Sequence, residues 1–81
     1  MKVEILKKAQ KDISKLDVSL IRDILLSIKD LENYPDISNI KKLRNHKPIY
    51  RKRIGNYRIL FDIEDEVLIV GRVLHRSKAY E

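Results

Sequence analysis

Apolar and polar positions alternate at the start of the chain. Val3 and Ile5 stand against Lys2, Glu4 and Leu6, a period of two that predicts a short strand over Lys2–Leu6. From Lys8 the period lengthens. Ala9, Ile13 and Leu16 recur at helical spacing, with Lys11, Asp12 and Lys15 turned outward. Asp17 or Ser19 then stands where a side chain can cap a second helix by accepting a backbone N–H of its first turn. That helix has the clearest period in the sequence. Ile21, Ile24, Leu25, Ile28 and Leu31 form one apolar stripe, opposite Arg22, Asp23, Lys29 and Asp30. Pro35 ends it, because proline has no N–H to donate and disfavours helix at the residue before it. The break at Asp17–Ser19 folds the two helices into an antiparallel hairpin.

Residues 35–48 read as a connecting segment between the only two prolines. Three strands follow. Tyr50–Ile54 turns at Gly55-Asn56, a Gly-X pair compatible with a type II′ hairpin, into Tyr57–Ile63. Glu64-Asp65-Glu66 makes the next turn, and Val67–Leu74 is the last strand. Its apolar run, Val67 to Val70, predicts a position inside the sheet rather than at an edge. Tyr57, Ile59, Phe61 and Ile63 share one side of their strand and are assigned to the core. The expected order is β-α-α-β-β-β. This is an α+β arrangement: a small, twisted, mostly antiparallel sheet with a helical hairpin on one face. At 81 residues, without internal repeat or linker, residues 1–81 are expected to form a single domain.

A chain this short buries roughly 60–65% of its unfolded surface, so a deep substrate cavity of its own is not expected. There is no cysteine, which removes disulfides, thiolate metal sites and a thiol nucleophile. The N-terminus lacks the apolar run of a signal peptide and nothing resembles a membrane span, so a cytoplasmic protein without membrane contact is expected.

Charge changes the picture more. The first 40 residues hold 7 Lys/Arg and 7 Asp/Glu, whereas residues 41–81 hold 11 and 5, so the net +6 lies in the second half. Lys41–Arg58 carries 8 cations and no acid. Such a block is either a solvated basic face or a footprint for polyanions. Lys41, Lys42, Arg44, Arg51, Lys52 and Arg53 are the candidate polyanion contacts. Alternation places Arg51 and Arg53 on one side of their strand and points Lys52 to the other. Arg58 and Arg76, near the ends of neighbouring strands, are placed to reach one groove, although Arg58 could instead pair with Asp62 on its own face. Arginines held together on one sheet face point to an anion among them, and nucleic-acid phosphate suits a small basic protein.

The whole chain resembles the RelE/ParE superfamily of toxins from type II toxin–antitoxin systems. The resemblance is carried by the order of elements, the hairpin YRKRIGNYRILFDI, the acidic turn, and the closing HRSKAY with a tyrosine four residues after its arginine. RelE-like members are ribosome-dependent mRNA endonucleases. ParE-like members poison DNA gyrase and lack the catalytic set. Retention of Arg58, Arg76 and Tyr80 places the chain on the RelE side, and implies a cognate antitoxin and translated mRNA, with ribosomal RNA contacts, as partners.

Metal-free RNA cleavage uses the ribose 2′-hydroxyl as nucleophile. It needs a proton acceptor, cations for the phosphorane, and a donor for the leaving 5′-oxygen. No His/Asp/Glu cluster has metal-ligand spacing, so no metal or other cofactor is expected. Arg58 and Arg76 suit the phosphorane, and Tyr80 suits stacking on a base. His75 is either a proton-transfer group or a satisfied structural histidine, since alternation places it opposite Arg76. Where some RelE-like toxins carry a glutamate base, this chain has Ile40, Lys41 and Lys42. A lysine depressed by surrounding cations is the substitute the sequence offers, and a weakly active or inactive toxin is the other reading of the same gap. A gyrase-poisoning toxin and a non-catalytic nucleic-acid-binding module are the alternative readings.

Overall fold

The computed structural model describes residues 1–45 and 47–79. The elements are β1 (Lys2–Ile5), α1 (Lys7–Ser14), α2 (Val18–Asp30) with a 3-10 turn over Leu31–Asn33, β2 (Ile40–Lys42), β3 (Tyr50–Ile54), β4 (Tyr57–Glu64) and β5 (Val67–His75). They form one five-stranded sheet in the order β1-β5-β4-β3-β2. β1 pairs with β5 in parallel and every other pair is antiparallel. The α+β class and the helical hairpin on one face follow the periodicity. β5 lies inside the sheet, between β1 and β4, as its apolar run requires.

The segment 35–48 is not merely a connection. It contains β2, whose Lys41 pairs with Arg51. A strand of three residues, two of them lysines, is too short for alternation to announce it. Asp17 occupies the N-cap position of α2 without a side-chain capping bond, and the start of the helix is marked by the Ile21 N–H to Asp17 O bond at 2.9 Å.

One core lies between sheet and helices. Ala9 and Ile13 from α1, Ile24 and Ile28 from α2, and Leu31 meet Ile59, Phe61, Leu68, Val70 and Val73. Leu25 departs from the predicted stripe: it is 46% exposed, and Leu26 beside it 61%. The stripe that packs is Ile24, Ile28 and Leu31, with Ile21 at its margin. A helix packed against a sheet at one angle can bury only the residues within that contact arc.

Both tight hairpins require a left-handed backbone. Gly55 has φ +54° and Asn56 is not among the positive-φ residues, consistent with the type II′ turn read from the sequence. Asp65 and Glu66 both have positive φ, at 49° and 64°, so the acidic turn is of type I′ without the glycine that usually relieves it. β5 carries a bulge: Leu60 pairs with Arg72 but Phe61 with Val70. Gly71 is the extra residue, and the bulge keeps Val70 and Val73 both in the core.

Candidate nucleic-acid interface

The sheet's second face positions the charges. Tyr57, Ile59, Phe61 and Ile63 join the helix-side core, so Arg58, Leu60, Asp62 and Glu64 of β4 project from the open face. On β3, Tyr50 and Ile54 pack toward the core, which sends Arg51 and Arg53 to the open face. Ile40 likewise faces the core and Lys41 the open side. The register then assembles the group: Lys41 stands opposite Arg51, and Arg53 directly opposite Arg58.

Two arginines directly opposite each other repel, so their shared position costs stability. Arg58 is also only 9% exposed. Its Nη1 donates to the carbonyls of Gly55 at 3.0 Å and Tyr57 at 2.9 Å, which folds the guanidinium onto the β3–β4 turn. Its Nε is buried without a hydrogen-bond partner among the described residues. The ion pairs among the described residues are Lys2–Glu4, Lys47–Asp62, Lys52–Asp30 and Arg72–Asp12. Arg58 and Arg53 are in none of them. The alternative pairing of Arg58 with Asp62 is not made, because Asp62 accepts the Ile49 N–H and pairs with Lys47.

Arg76 follows the end of β5, and its N–H donates to Asn56 O at 2.7 Å. Arg58 and Arg76 are therefore both tied to the Gly55-Asn56 turn, at one end of the sheet. The Arg76 side chain is exposed.

The other sequence candidates go elsewhere. Lys52 is 7% exposed on the helix side, 3.3 Å from Asp30 and 3.5 Å from the Ser38 carbonyl. It is a buried structural cation, as strand alternation demands. Lys42 also lies on the helix side, with Nζ 5.9 Å from the Tyr50 ring centre. Arg44 is exposed in the loop after β2. His75 pairs with Tyr57 in register, hence on the helix side; the rings meet edge to face at 5.4 Å. Its Nδ1 accepts the Ser77 N–H at 3.2 Å and lies 2.9 Å from Ser77 Oγ. This arrangement holds the ring on the helix side, opposite the face that carries Arg53 and Arg58. Tyr80 lies outside the described residues. No group of His, Asp and Glu among the described residues could hold a metal ion. Nor is any helix among them long and apolar enough to cross a membrane.

The sequence reading turned Asp12 outward and did not single out Arg72; the structure half-buries Asp12 against it. The Asp12 carboxylate accepts from Arg72 Nε at 2.8 Å, Arg72 Nη2 at 3.1 Å and the Val73 N–H at 3.0 Å. β1 pairs with β5 only as far as Val70, and Asp12 takes over a backbone donor beyond that point. Arg72 and Val73 lie 60 and 61 residues from Asp12 along the chain, and no local pattern joins them.

The family model for the ParE toxin of type II toxin–antitoxin systems, parDE, matches residues 3–80. The chain belongs to the RelE/ParE superfamily of type II toxins. Toxin RelE3 of Methanocaldococcus jannaschii is 33% identical over 85 residues, which span 100% of this chain and 97% of that protein. The toxin's fold also matches solved structures. The toxin–antitoxin complex RelBE2 of Mycobacterium tuberculosis gives a TM-score of 0.77 at 29% identity, covering 93% of this chain and 96% of that one. The RelB–RelE complex of Methanococcus jannaschii gives 0.76 at 30% identity, covering 90% and 89%. The chain is a RelE-like toxin of a type II toxin–antitoxin module.

Proposed function

We propose that this toxin is a ribosome-dependent mRNA endonuclease that inhibits translation. The observation that carries the reading is Arg58: a nearly buried guanidinium opposite Arg53, with no carboxylate partner among the described residues and an unsatisfied Nε. A phosphate between the strands would offset the Arg53–Arg58 repulsion and give the guanidinium charge-assisted hydrogen bonds. In the proposed reaction the 2′-hydroxyl gives its proton to an acceptor and attacks the adjacent phosphorus. The new O–P bond forms as the bond to the 5′-oxygen breaks, and the 5′-oxygen takes a proton from water, leaving a 2′,3′-cyclic phosphate and a 5′-hydroxyl end. Arg58, with Arg76 and the β3 arginines, stabilises the phosphorane. Of the three lysines on β2 and β3, Lys41 alone shares the open face, beside Arg51, and is the proposed proton acceptor. Tyr80 is proposed to stack on a base, and Arg44 to contact phosphate from the loop.

Similar solved chains are held by RelB antitoxins. The proposed partner is a cognate antitoxin whose helical or extended segment wraps this chain and covers the basic face. The family model's description favours one competing reading, a toxin acting on DNA gyrase. Induction in a bacterium followed by primer extension on translated messages separates the two. Coding-region cleavage is expected, and Arg58→Ala is expected to slow it by roughly 10²-fold or more. Growth arrest with intact mRNA and damaged DNA would establish the gyrase reading instead.

A further inference from the structure

One side chain fastens the β2–β3 loop to the open face. Asp62 Oδ1 accepts the Ile49 N–H at 2.7 Å, and Oδ2 lies 3.4 Å from Lys47 Nζ. The loop is closed at its base by the Leu43 N–H to Ile49 O bond at 2.6 Å. Its Pro48 lies over the bulge in β5, where a Cβ placed on Gly71 would stand 3.5 Å from Pro48 Cγ. The loop is thus laid back across the sheet. Lys42, Arg44 and Lys47 rim a shallow groove whose apolar surface comes from Leu43 and Ile49. The groove adjoins the strand pair that carries Lys41 and Arg51.

Asp62 is the first carboxylate along β4 after Arg58, and its side chain is 17% exposed, whereas Lys47 is 68% exposed. A half-buried acid placed among cations lowers the attraction of that surface for phosphate. Here it also supplies the acceptor for a loop amide.

We propose that Asp62 is a positioning residue for bound RNA, with two opposed effects. Its hydrogen bond to Ile49 holds the cationic loop beside the strand pair that carries Lys41 and Arg51. Its charge masks Lys47, so a bound strand meets one cation fewer than the sequence provides. The proposal rests on the RNA reading above and adds a determinant of affinity outside the proposed catalytic group.

The two effects separate on two substitutions. Asp62→Asn keeps a carbonyl oxygen for the Ile49 N–H and removes the charge; Asp62→Ala removes both. Binding would be measured with a labelled single-stranded RNA across a salt series. Asp62→Asn is expected to bind about 3-fold more tightly at about 0.1 M salt, with a salt slope steeper by about 0.7, one added phosphate contact on a single strand. Asp62→Ala is expected to bind more weakly than Asp62→Asn. Hydrogen exchange at the Ile49 amide reads the anchor without RNA: about 10-fold faster or more in Asp62→Ala, and near wild type in Asp62→Asn. A wild-type protein that binds RNA, with Asp62→Asn no tighter, overturns this proposal alone. Unchanged Ile49 exchange in Asp62→Ala overturns it as well. Failure of the wild-type protein to bind the RNA overturns the functional reading together with it.

Discussion

Burial pushes the Asp12 carboxyl up, but hydrogen bonds from Arg72 and Val73 and the attraction of Arg72 and Lys15 outweigh it. They hold the group below the ordinary aspartate value of 3.8. A carboxylate with a depressed folded pKa stabilises the fold fully above its unfolded value, and that contribution is lost as pH falls through the folded pKa. Wild-type stability, followed by urea denaturation, is therefore expected to decline as pH drops below about 4. Asp12→Asn should be less stable at neutral pH and lack this component of the acid decline. Asp12→Ala should cost about 2 kcal/mol at neutral pH, since it strips the partner from Arg72 and from a backbone N–H. At the same scale, Lys52 and Arg53 are adjacent in sequence yet meet opposite environments. One is sealed against Asp30 and the other faces the open side, because successive side chains on a strand point to opposite faces.

Helix α2 shows how far periodicity reaches. Its apolar positions span a wider arc than the sheet can cover, so Ile24 and Ile28 are buried at 0% and 4% exposure while Leu25 and Leu26 remain at the surface. Ile24→Ala should cost about 2–4 kcal/mol in chemical denaturation, because a cavity opens beneath the helix. Leu25→Ala should cost no more than about 0.5 kcal/mol. Equal losses at the two positions would mean the helix is rotated from the orientation described. The sheet places its elements by a comparable rule. β4 is central and contributes Ile59 and Phe61 to the core on one side and Arg58 to the open face on the other, so core and site are fixed by one strand.

Across the whole molecule the two sheet faces divide the work. The helix side holds the core and the buried Lys52; the open side gathers Lys41, Arg51, Arg53 and Arg58. If the open face binds RNA, removing Arg51 and Arg53 together should lower the salt slope of binding by roughly 1–2, because each lost phosphate contact leaves a counterion in place. Lys52→Ala should instead reduce folding stability, since it leaves Asp30 unpaired, and should leave that slope unchanged in the folded fraction. A slope that falls equally in both variants would show that net charge, rather than the open face, governs binding.

Local pattern by itself determined the helical hairpin, the β3–β4 turn at Gly55-Asn56, the interior position of β5 and the shared face of Arg51 and Arg53. Each depends on periods of 2 or 3.6 residues and on backbone limits at glycine and proline, which act over a few neighbours. Only the tertiary structure decided the rest. β2 exists because β3 offers it an edge. Lys42 leaves the cationic group because its pairing opposite Tyr50 turns it to the helix side. Arg53 meets Arg58 through the hairpin register, and Asp12 meets Arg72 across 60 residues of chain. Asp62 serves the loop rather than Arg58 because Ile49 and Lys47 are brought back over the sheet. Contacts between residues distant in sequence are chosen by the packing of whole elements, and no short window of sequence carries that information.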